Sequence, residues 1–137
     1  MPYLVLSGQI KNKKEVTKYF HALSKELGIN RMWSKVIFVK FETVLDDESQ
    51  GLCWGDLGAG FVSIQIARKS DGEKIPYETM MQTLAHEMVH AKQYLRGELS
   101  GYSLEWKGKE CTDDQYKTAP WEQEAYELEK KLYDKCF

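Results

Sequence analysis

The chain has 137 residues, 42% of them hydrophobic and 12% aromatic, which is enough for one domain with a buried core and too few for two. Its 19 basic and 21 acidic residues are interspersed and leave a formal charge of −2, which excludes the one-signed field of a nucleic-acid or membrane-surface protein. The cysteines Cys53, Cys111 and Cys136 are odd in number and form no C-x-x-C pair, so a disulfide framework and a cysteine-rich zinc ribbon are excluded and reduced thiols are expected.

Met1 to Ile10 carries neither a basic leader nor a long apolar run, and nowhere is the chain apolar for long enough to span a bilayer. The reading is a soluble, cytoplasmic protein. After an apolar start at Tyr3 to Leu6, Val16, Phe20, Leu23 and Leu27 recur at helical spacing and Gly28 supplies a stop, which predicts a leading helix from Lys13 to Leu27. His21 lies on that helix with no fixed relation to the residues treated below, and it reads as an ordinary interfacial histidine. The β-branched and aromatic run Lys35 to Phe41 predicts a strand. Leu52 to Asp56 and Phe61 to Ile66 predict two more, joined by the glycine-bearing stretch Leu57-Gly58-Ala59-Gly60 as a hairpin.

A turn at Ser70-Asp71-Gly72 precedes Pro76, which suits the first turn of a helix running to Arg96. On it Tyr77, Met81, Leu84, Ala85, Met88, Ala91 and Leu95 form one broad apolar stripe, and Gly97 is the stop. From Leu99 to Ala119 the chain is polar and irregular, apart from a short strand at Tyr102 to Lys107; a connection of that length is often functional. Pro120 opens a last helix whose Trp121, Ala125, Leu128 and Leu132 must pack on something. The sum is an α+β domain spanning 1–137, with a leading helix, a sheet of three to four strands and two further helices.

The second helix carries His86-Glu87-Met88-Val89-His90, an H-E-x-x-H pattern. Residues four apart lie on one face of a helix, so both imidazoles can converge on one ion while Glu87 sits beside them. Neutral imidazole is a good Zn²⁺ ligand, and bound zinc acidifies water and polarises a carbonyl, which gives Glu87 a proton to take. A catalytic site of this kind commonly has three protein ligands, and the sole other histidine, His21, lies upstream. The metzincin extension H-E-x-x-H-x-x-G-x-x-H is therefore excluded, since Gly97 and Glu98 follow without a histidine.

Pro120-Trp121-Glu122-Gln123-Glu124-Ala125 resembles the E-x-E-A segment that follows H-E-x-x-H in small gluzincins, among them the ImmA/IrrE-like and phage-encoded metallopeptidases. The resemblance covers about residues 34 to 133, with Trp106-Lys107-Gly108 in the connection. The layout of helix and strands before the motif is similar to that of SprT-type proteins, which generally use a downstream histidine that is missing here. The resemblance implies a minimal zincin-like fold and zinc-dependent hydrolysis of peptide bonds, with His86, His90 and Glu124 as ligands and Glu87 as general base. It implies a peptide or protein substrate pairing along strand 61–66 and leaves the oligomeric state open; the even charge balance and the lack of a long apolar run are what argue against a nucleic-acid or membrane partner. Helical geometry separates Glu124 from Glu122 only weakly: they lie about 70° and about 90° from the centre of the apolar stripe, on opposite sides. Glu127 and Glu129 read as solvated; Tyr102 and Tyr116 each read first as structural tyrosines, with a hydrogen-bond donor to the reaction as the alternative. The alternative function is a metal-stabilised interaction or regulatory module without turnover.

Overall fold

A computed structural model of the chain describes residues 2–56, 60–99, 105–107, 109–110 and 119–137. Tyr3–Gly8 (β1), Val36–Glu42 (β2), Gly51–Asp56 (β3) and Phe61–Ala67 (β4) form a four-stranded sheet in the order β1-β2-β4-β3. The apolar start is thus a full strand. It pairs in parallel with β2, and β2 pairs in parallel with β4. The expected hairpin is present as the antiparallel β3/β4 pair, with Gly51 opposite Ile66 and Asp56 opposite Phe61. The chain leaves β2, passes beyond the site of β4, runs back along the sheet edge as β3, and fills the gap with β4. Sequence-adjacent β2 and β3 are therefore not neighbours.

Alternation fixes which face is covered. Ile37, Val39 and Phe41 of β2 and Val62, Ile64 and Ile66 of β4 are buried in register, while Phe38 and Lys40 are exposed on the other face. Helices Lys13–Glu26 (α1), Tyr77–Leu95 (α2) and Pro120–Cys136 (α3) supply the rest of one core. Asn12 caps α1 by accepting from Glu15 N, and Tyr19, buried on α1, donates its hydroxyl to Met81 O of α2 at 2.9 Å. The Tyr19 ring also meets Tyr133 of α3 and Phe137 at its C-terminal cap edge-on, at centroid distances of 6.3 and 5.1 Å, so one side chain joins three helices.

Two small hairpins complete the described structure: Lys69–Ser70 (β5) with Glu73–Lys74 (β6), and Glu105–Trp106 (β7) with Lys109–Glu110 (β8). Among the described residues no helix is long and apolar enough to cross a membrane.

Candidate metal centre

The buried stripe of α2 fixes the direction of its polar groups. Met81, Leu84, Ala85 and Met88 are fully buried against the sheet and α1, which leaves His86 and His90 on the flank of α2 that α3 covers. His90 is 8% exposed and Glu87 5%. The imidazoles sit one turn apart and edge to face, with ring centroids 5.0 Å from each other.

The third donor is Glu122. Its Oε1 lies 3.5 Å from His86 Nε2 and in direct contact with His90 Nε2. One nitrogen from each histidine and one carboxylate oxygen lie within 4.8 Å of one another, close enough to share one metal ion. Glu122 stands in the first turn of α3, where the positive end of the helix favours a carboxylate. The two imidazoles hold its carboxyl down to about 2, by hydrogen bonding and by charge.

Glu124, the ligand implied by resemblance, is not at the histidines. It accepts from Lys92 Nζ at 3.0 Å and from Gln93 Nε2 at 3.2 Å, so its carboxylate is spent holding α3 to α2. The crossing of the helices causes this correction. Trp121, Ala125 and Leu132 are buried, and α3 lies across α2 so that Glu122, Tyr126 and Glu129 line the cleft while Glu124 meets Lys92. Glu129, read as solvated, has Oε1 3.7 Å from His86 Nδ1. Glu127 is exposed, as is His21 on α1.

Gln93 is a group that the sequence reading missed. Fully buried, it donates through Nε2 to Trp121 O at 2.9 Å and to Glu124, and its Oε1 lies 2.8 Å from His90 Nδ1. Both Nε2 contacts are acceptors, so the amide can sit only this way round, and Oε1 must accept a hydrogen from Nδ1. In the neutral ring the lone pair is then on Nε2, facing Glu122. Trp121 O belongs to the peptide leading into Glu122, so one amide orients one donor and anchors another. The available signal was the i, i+3 spacing of His90 and Gln93; Glu129, two helical turns from Glu122, carried a similar one.

Glu87 faces the same cleft from beneath β3. Its Oε2 is buried and has no hydrogen-bond partner among the described residues. Burial pushes its carboxyl up to about 7 against the opposing pull of His90 and His86, with Glu122 and Glu129 adding to the rise. The approach of β3 depends on Gly51, where a Cβ would stand 2.5 Å from Thr83 Cγ2 and 3.2 Å from Glu87 Cγ. Cys53 lies next along that face, its thiol pushed well up by burial and by the Glu87 charge, which makes it a poor nucleophile. The cleft measures about 420 Å³, and its lining includes Tyr126, whose ring centroid lies 4.8 Å from that of His86. Tyr102 and Tyr116 lie outside the described residues. Strand 61–66 cannot take an added peptide: β4 is paired on both edges, and the edge strand over α2 is β3.

No family model, curated protein or solved structure matches the chain. The fold is an α+β domain with a mixed four-stranded sheet, and it brings His86, His90 and Glu122 together beside the buried Glu87 in an arrangement that could hold a metal ion.

Proposed function

We propose that this chain is a zinc-dependent peptide hydrolase in which His86, His90 and Glu122 hold the ion and Glu87 is the general base. The observation that carries the reading is the convergence of three donors on one point, beside a buried carboxylate whose second oxygen has no partner among the described residues. A His₂Glu set suits zinc, and both histidines turn Nε2 toward Glu122 while Gln93 and Glu129 lie at their Nδ1 atoms. Zinc bound there would lower the pKa of water and polarise the scissile carbonyl.

The residues of the chain divide the remaining work. Glu87, with a proton affinity matched to neutral pH, takes a proton from the attacking water and gives it to the leaving nitrogen. Gln93 and Glu129 keep the imidazoles oriented. Gly51 and Cys53 of β3 wall the cleft, and an extended peptide fits as an added strand along β3, which replaces β4 in that role.

The test is metal analysis of the purified chain followed by digestion of a mixed-peptide pool by the parent and by Glu87→Gln. One equivalent of zinc in both, with cleavage lowered at least about 100-fold in the variant, is the expected result. Zinc without cleavage by the parent would favour the metal-stabilised module, and no zinc in the parent would remove both readings.

A further inference from the structure

At the N-terminal end of α2, away from the His86 cleft, lies a larger cavity of about 570 Å³. It opens at the carboxyl ends of the three parallel strands: Gly8 ends β1, and Thr43 and Arg68 directly follow β2 and β4. In open sheets with parallel strands that end is where crevices for ligands form, and the volume is that of a small-molecule site. Ile10, Ile75, Tyr77 and Met80 give it an apolar lining.

Its charge sets it apart. Lys11, Lys13, Arg68, Lys69 and Lys74 all line it, and no acidic residue does among the described residues. This gathering occurs in a chain with a net charge of −2, and none of the five forms an ion pair with a described residue. Of the neighbouring carboxylates, Glu15 is engaged by the hydroxyl of the lining residue Tyr77 at 2.8 Å, and Glu73 alternates with Lys74 on β6 and so projects from the other face. Lys69 and Lys74 stand directly opposite each other across the β5/β6 pair, a like-charge placement that destabilises a hairpin unless an anion lies between them. The Arg68 guanidinium is held at the rim by Gln9 Oε1 at 3.0 Å and Thr43 Oγ1 at 2.8 Å, so one cation is already positioned.

We infer that this cavity binds a small organic polyanion, of the class of nucleoside diphosphates and other phosphorylated compounds that carry an apolar body beside clustered negative charge. A single carboxylate would leave most of the five cations unanswered, and a bare inorganic ion would leave the apolar lining unused. The inference stands independently of the metal reading.

The experiment titrates the full chain with ADP, adenosine and pyrophosphate, following the methyl resonances of Ile10, Ile75 and Met80, which report this cavity and not the His86 cleft. Saturable shifts are expected with ADP, at least tenfold weaker binding with adenosine and with pyrophosphate, and loss of ADP affinity as salt rises. Lys69→Gln combined with Lys74→Gln should weaken ADP at least tenfold while leaving the melting temperature of the ligand-free chain equal or higher, because the opposed charges are gone. The inference is overturned by the absence of saturable shifts with ADP, by adenosine binding as tightly as ADP, by pyrophosphate binding as tightly as ADP (a charged surface only), or by a double variant that binds as the parent does.

Discussion

The buried carboxyl of Glu87 makes the stability of the metal-free protein depend on pH in an unusual direction. Its folded pKa is raised from 4.5 to about 7, so between those values the folded chain holds a proton that the unfolded chain has released. Stability is therefore present below pH 4.5 and lost as pH rises through about 7. Glu87→Gln, which removes this titration, should stabilise the metal-free protein at about pH 8 by up to ~3 kcal/mol, seen as a higher melting temperature, and leave it nearly unchanged at about pH 4. Thermal melts at the two pH values read this directly. Glu122 works in the opposite sense: lowered to about 2, it contributes stability above 4.5 that disappears as pH falls through its folded value.

Glu122 and Glu124 separate cleanly at the same scale. Glu122→Gln is expected to lose zinc on dialysis against a mild chelator, whereas Glu124→Gln keeps it and costs about 1 kcal/mol, the worth of a partly buried ion pair with Lys92 whose hydrogen-bond acceptor the amide retains. Retention of zinc by both would remove Glu122 from the site. Gln93→Leu keeps neither the acceptor for His90 nor the tether to Trp121, and a weakening of zinc affinity by about 10- to 100-fold is expected in chelator competition. An unchanged affinity would show that the imidazole is oriented without it.

Among the elements, the contact of β3 with α2 shapes the cleft. A methyl at Gly51 would meet Thr83 Cγ2 at 2.5 Å, so Gly51→Ala must move the strand or the helix. Denaturant melts should show a loss of about 1–3 kcal/mol, and Thr83→Ser, which removes the obstructing methyl, should recover most of it in the double variant. Additive losses would place the cost elsewhere. The same contact explains why β3 and not β4 is the edge: Gly51 and Gly55 let the strand lie close over α2, and a Cβ at Gly55 would stand 3.2 Å from Tyr94 Cβ. Strand identity was legible from composition, but β-order was not, because nothing local in Val36–Glu42 says that its sequence neighbour will pair one strand further on.

For the molecule as a whole, a candidate site shared by α2 and α3 would make metal binding a tie between two parts of the core. Zinc at about 100 times its dissociation constant should stabilise the folded chain by ~2.7 kcal/mol, and a chelator should return the melting temperature to that of a His86→Ala variant. A melting temperature indifferent to both zinc and chelator would separate the site from folding.

The sequence alone determined the three helices close to their observed ends, three of the four main strands, the hairpin of β3 with β4, and the placing of His86, Glu87 and His90 on one stretch of helix. These follow from local periodicity, glycine and proline positions, and the fixed spacing of a helix. The parallel strand β1, the insertion of β4 between β2 and β3, and the third donor were decided by tertiary structure. Glu122 and Glu124 lie almost equally far from the apolar stripe of α3, so their own helix cannot choose between them. The choice is made by the angle at which that stripe settles on α2, with Gln93 holding the Trp121 carbonyl and Lys92 drawing Glu124 away.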